Sequence, residues 1–188
     1  MFSRNKQGEL RVSPQVYKLL LAAHIIVSVG WLGIVFAKLV LGLRAMTSEA
    51  PDVSDALYVS MEVVNVAFLP AAIATIVTGV LLSLGTKWGL LHYYWVVTKL
   101  ALTMGVIVTG IALIDRLVRQ SISASGGQAV ADGTILATAS APILLISLSV
   151  AHVLMLGVAT VVSVYKPWGK TRFGRRKAAQ SLSSEGER

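Results

Sequence analysis

No cysteine occurs anywhere in the 188 residues, so disulfide frameworks, thiolate metal sites and thiol nucleophiles are excluded together. Charge is scarce as well: Asp, Glu, Lys and Arg make up 14% of the chain, with 9 acidic residues against 17 basic ones. So little charge does not clothe a soluble domain of this length. Glycine-rich phosphate loops, the GxSxG elbow and the dinucleotide fingerprint are missing from any plausible context, which removes the sequence support for those enzyme classes. No HxxxH or similarly close ligand pair is present and the methionines are scattered, so zinc and copper centres lack support too.

What the chain has in quantity is apolar surface. Hydrophobic residues make up 55% and the mean hydropathy is +0.72, a composition that expects lipid as solvent. A hydrocarbon layer of about 30 Å takes about 20 apolar residues per helix, and four stretches qualify: 19–43, 63–84, 93–114 and 143–164. The expected fold is therefore all-α, a polytopic four-transmembrane-helix bundle running up-down-up-down through residues 17–165. Residues 1–16 form a polar basic arm, and 166–188 a basic tail whose composition predicts disorder. The first apolar run is too long for the core of a secretory signal and no convincing cleavage site follows it, so it reads as a retained helix.

Boundary signals sharpen these spans. Ser13-Pro14 and Ser140-Ala141-Pro142 each set a capping hydroxyl shortly before a proline, the pattern of a helix start. Residues 85–89, with Trp88, read as a tight turn between spans two and three, and Tyr165-Lys166-Pro167-Trp168 as an interfacial stop. The small and polar segment from Gln120 to Ala141 reads as a long outer loop. Pro70 is expected to kink the second span, and Ala71, Thr75, Gly79 and Ser83 lay a small-residue row along it.

The basic residues follow topology. Arg4, Lys6, Arg11 and Lys18 precede the first span, and Lys166, Lys170, Arg172, Arg175, Arg176 and Lys177 follow the last. The positive-inside rule then places both termini in the cytoplasm of a multi-pass protein of the inner (plasma) membrane. The tail is expected to attract anionic lipid headgroups; no aromatic-interleaved fold accompanies the charge, so nucleic acid is not expected as a partner.

Ionisable groups at membrane depth are costly and mark candidate sites. His24, Glu62, Asn65, Lys99 and His152 qualify, whereas Lys38, His92, Asp115 and Arg116 lie near span ends where snorkelling explains them. Glu62 is expected to be solvated at the outer interface. His24 and Lys99 each sit seven residues inside their spans, which at 1.5 Å per residue puts both at about 10 Å depth. His24, Ser28, Trp31 and Lys38 share one stripe of the first helix, and His92, Trp95, Lys99 and Thr103 share one of the third. Two facing polar stripes suit either a pocket or hydrogen bonds that merely fix packing. His152 is expected roughly 10 Å further across, which disfavours one iron bridging both histidines.

The stretches His24-Ile-Ile-Val-Ser-Val-Gly-Trp31-Leu-Gly33 and Trp95-Val-Val-Thr-Lys99-Leu resemble the first and third helices of HemJ-type protoporphyrinogen oxidases and related CopD-like small membrane proteins. The resemblance implies a haem b or porphyrin site, with His24 as axial ligand to the iron and Lys99 beside a propionate or substrate carboxylate. Trp31, Trp95 and His152 complete the candidate cofactor-binding set. The long polar outer loop, the basic tail and the continuation of helix one depart from the family's pattern.

Three functional expectations stand at this stage. The first is a haem- or porphyrin-binding protein with a redox role. The second is a non-enzymatic membrane subunit or scaffold packing against a partner or a second copy, and the third a small proton or anion transporter acting as a homo-oligomer.

Overall fold

The computed structural model describes residues 2–4, 10–86, 89–125 and 135–176. Two three-residue strands, β1 (Phe2–Arg4) and β2 (Leu10–Val12), pair antiparallel with Phe2 opposite Val12, so the N-terminal arm holds a small hairpin. Everything else regular is helical: α1 (Pro14–Met46), α2 (Pro51–Asn65), α3 (Phe68–Leu84), α4 (Tyr94–Thr109), α5 (Asp115–Ser125) and α6 (Ile135–Tyr165). Four apolar helical segments long enough to cross a membrane result, Pro14–Met46, Pro51–Leu84, Tyr94–Ile122 and Ser140–Tyr165. Only 17% to 33% of the residues in their most apolar windows are buried inside the protein, so the remaining apolar faces need lipid to cover them.

Helix starts and interruptions follow from local chemistry. Ser13 caps α1 by accepting from the Val16 amide at 3.4 Å, and Pro14 supplies the first residue. The second span breaks between α2 and α3 at Val66–Ala67, where the amides turn back to Val63 and Val64. Pro70 lies four residues beyond Val66. A proline ring clashes with the carbonyl four residues earlier and offers it no N–H, so the interruption falls on the N-terminal side of the proline. In the third span α4 passes through a π-helical turn, Gly110–Ile114, into α5. The two interruptions meet: a Cβ on Gly110 would lie 2.6 Å from Phe68 Cζ, the first residue of α3.

Several expectations need correction. Pro142 lies inside α6, which starts at Ile135; a proline inside a membrane helix is tolerated where neighbours satisfy the freed carbonyl. The expected outer loop is helix at both ends, because α5 runs to Ser125 and α6 begins at Ile135, and its middle, residues 126–134, lies outside the described residues. Part of the expected turn 85–89, including Trp88, lies outside the described residues, as does the tail beyond 176. The tail is not disordered from 166 onward. Lys166 and Trp168 adopt left-handed backbone (φ 46° and 68°) around Pro167 and reverse the chain, so that residues 169–176 fold back onto the start of α4.

Packing sets where a cavity forms. α1 packs against α2, α3 and α6, while α4 and α5 are held chiefly by α6. At the end bearing the short α1–α2 connection, α2 packs against α5 and closes the bundle. At the other end α3 and α4 do not pack closely, and a cavity lies there.

Candidate functional site

Three residues at heptad spacing on α1 (His24, Trp31 and Lys38) are all buried, and each organises a different level of the bundle. His24 occupies the end near the termini. Its Nδ1 bonds with Thr78 Oγ1 at 2.9 Å, and Thr78 donates its own hydroxyl proton to the Ala74 carbonyl at 2.7 Å. That proton being spent, the threonine oxygen accepts, so Nδ1 carries the ring's hydrogen and Nε2 its lone pair. Lys99, from α4, accordingly donates its ammonium to Nε2 at 3.1 Å and also to Ser163 Oγ of α6 at 3.4 Å. Gly79 makes room for the imidazole: a Cβ there would lie 3.1 Å from His24 Cε1.

This pair lines a cavity of about 290 Å³ between α1, α3, α4 and α6. Trp95 lines it too, as do Tyr17 and Lys166 nearer its mouth. Thr75 Oγ1 is buried at the wall with no hydrogen-bond partner among the described residues, a vacancy that costs about 1–3 kcal/mol until something polar fills it. Among those residues no carboxylate pairs with Lys99. The expected meeting of His24 with Lys99, and of both with Trp95, is what the structure displays.

Trp31 and His152 do not line that cavity. Trp31 stands edge-on to Phe68 at 5.7 Å, its Nε1 buried and unpartnered among the described residues. His152 is 2% exposed, and its Nε2 bonds with Thr109 Oγ1 at 2.7 Å, whose proton goes to the Gly105 carbonyl. Lys99 and Thr109 are ten residues apart on one helix, or about 15 Å, so the two histidines serve separate levels.

Lys38 is the residue that reading the sequence misplaced. Snorkelling would leave its amine in water, yet it is 4% exposed, donates to Asn65 Oδ1 at 2.6 Å and lies 5.4 Å from the centre of the Phe68 ring. It sits at the junction of α2 and α3. A signal for it was present, since Lys38 continues the heptad series from His24 and Trp31. Glu62 is half exposed, with Arg119 Nε 3.9 Å away across the surface, an arrangement that contributes little to stability.

No family model, characterised protein or solved structure matches the chain.

Proposed function

We propose that this integral membrane protein binds an amphipathic carboxylate in the cavity at His24 and Lys99, a porphyrin or haem b being the ligand class whose two kinds of functional group suit that pair. One observation carries the reading: the Lys99 amine lies inside a membrane-spanning segment, and its hydrogen-bond partners among the described residues are His24 and Ser163, with no carboxylate among them. A carboxylate entering there exchanges neutral hydrogen bonds for a charge-assisted one in a poorly solvated site. The Thr75 hydroxyl offers a second polar contact.

The donor set fits a haem. His24 would hold the iron through Nε2, the nitrogen that the Thr78 contact leaves with the lone pair, once Lys99, which donates to that nitrogen in the structure, turns from it to hold a propionate. Haem supplies one-electron chemistry when bound. At about 290 Å³ the cavity is at the lower edge of ordinary ligand pockets, about 300–1,000 Å³, so it takes a small ligand or the acidic edge of a larger one. The distribution of basic residues supports a place for this cavity toward the cytoplasmic leaflet.

Absorbance and fluorescence test the proposal directly. Metal-free protoporphyrin should bind the detergent-purified protein, weaken at least ~10-fold in Lys99→Met through loss of the charged hydrogen bond, and survive His24→Ala. A haem Soret band should disappear in His24→Ala. Protein that takes up neither pigment, or takes both equally well without Lys99, would remove the porphyrin reading.

A second reading, passage of a proton or anion, draws on a different observation. Lys38 meets Asn65 at the interruption of the second span, a polar pair at a place where membrane helices of transporters carry their sites. Proteoliposome flux unaffected by both Lys38→Met and Lys99→Met would dismiss it.

A further inference from the structure

The segment after α6 is held in place by a dense set of contacts. Thr171 donates its amide to the His92 carbonyl at 2.8 Å and its hydroxyl to the Leu91 carbonyl at 2.7 Å, while its oxygen accepts from the Gly174 amide at 3.1 Å. Tyr94 donates its amide to the Gly169 carbonyl at 3.4 Å, and Lys170 pairs antiparallel with Tyr93. The Phe173 ring stacks on His92 with centroids 5.5 Å apart. Gly174 is required for so close an approach, because a Cβ there would lie 2.4 Å from the His92 carbonyl oxygen. The result is a strap fixed beneath the entry of α4.

Between strap and helix lies a second pocket, open and about 480 Å³ in volume, lined by Tyr94, Thr98, Trp168, Gly169, Lys170 and Arg175. Lys170 and Arg175 make no ion pair among the described residues. Thr98 lies one turn inside the span, so the pocket runs from the level of the helix end into the apolar layer. Two of its lining residues are exposed aromatic rings, Trp168 and Tyr94, 58% and 44% accessible. Such rings sit at headgroup level in membrane proteins.

We propose that this pocket seats the phosphate of an anionic phospholipid from the leaflet in which α4 begins, held by Lys170 and Arg175, with the Thr98 hydroxyl as a deeper contact. Two cations with no counter-charge among the described residues supply the attraction, and basic pockets beside membrane helices take acidic headgroups. A lipid suits the site better than a free anion, because the apolar flank of α4 and the exposed rings continue outward from it as surface for acyl chains.

Native mass spectrometry of the detergent-purified full chain, titrated with phosphatidylglycerol, phosphatidylcholine or inorganic phosphate, tests this. Phosphatidylglycerol should bind about 10-fold more tightly than phosphatidylcholine, and inorganic phosphate should not displace it. Lys170→Gln/Arg175→Gln should abolish the preference, whereas Arg172→Gln/Arg176→Gln, an equal charge change on the same strap outside the pocket, should keep it. Thr98→Val, which leaves the strap intact, should weaken binding alone. Equal loss in the two double variants would reduce the effect to general charge attraction and overturn the proposal; displacement by inorganic phosphate would overturn it in favour of a free-ion site.

Discussion

Two threonines fix which nitrogen of each buried histidine holds the lone pair, and they do so in opposite senses: Thr78 takes the hydrogen of Nδ1 in His24, Thr109 that of Nε2 in His152. Thr78→Val removes the acceptor and frees the His24 tautomer. Ligand affinity at the cavity should fall about 10-fold, the scale of outer contacts that orient a histidine, with the thermal midpoint nearly unchanged. Gly79→Ala presses a methyl to 3.1 Å from the same ring; it should weaken ligand binding, and Gly79→Leu should abolish it, both read by pigment titration. At the other cluster, Asn65→Leu leaves the buried Lys38 ammonium without its 2.6 Å acceptor, which should cost about 2 kcal/mol or more. Lys38→Met removes the charge itself and should cost less, so detergent melting curves should order the variants wild type, Lys38→Met, Asn65→Leu. The His24–Lys99 pair was legible from the sequence because two simple counts of depth agreed. Lys38 was not, because nearness to a helix end says nothing about what covers that end; here α2 folds over it.

Apolar runs announced the four spans, and the Ser13-Pro14 pair placed the start of α1. The sequence concealed how the spans continue past their apolar cores. The second half of α5, from Gln120, was read as loop because it is polar, yet Leu117, Val118, Ser121 and Ile122 recur at helical spacing, and Val118 and Ser121 are buried against the rest of the bundle. Pro70 signalled an interruption without its position, which depends on the carbonyl four residues back. Pro70→Ala removes the clash at Val66, so the break between α2 and α3 should close into continuous helix. Spin labels at Ala56 and Val77, on opposite sides of the break, should then report a narrower distance distribution by pulsed electron resonance; an unchanged distribution would show that Pro70 does not set the interruption.

For the whole molecule, the lack of cysteine makes a topology map direct. Gln15→Cys should be labelled by a membrane-impermeant maleimide only from the cytoplasmic side, and Ala50→Cys only from the other; the reverse pattern would invert the charge-based orientation. Neighbour relations within the bundle carry one more consequence, for its biogenesis. Spans leave the ribosome in chain order, but α4 and α5 find their main neighbour in α6, the fourth span to be made. Until α6 arrives α4 lacks its main helical neighbour, and Ser163, one of the two groups among the described residues that meet Lys99, is not yet in the bilayer. Truncating the chain before Ile135 should therefore leave the third span exposed to membrane quality control, and insertion of α6 is the step that commits the chain to its folded form.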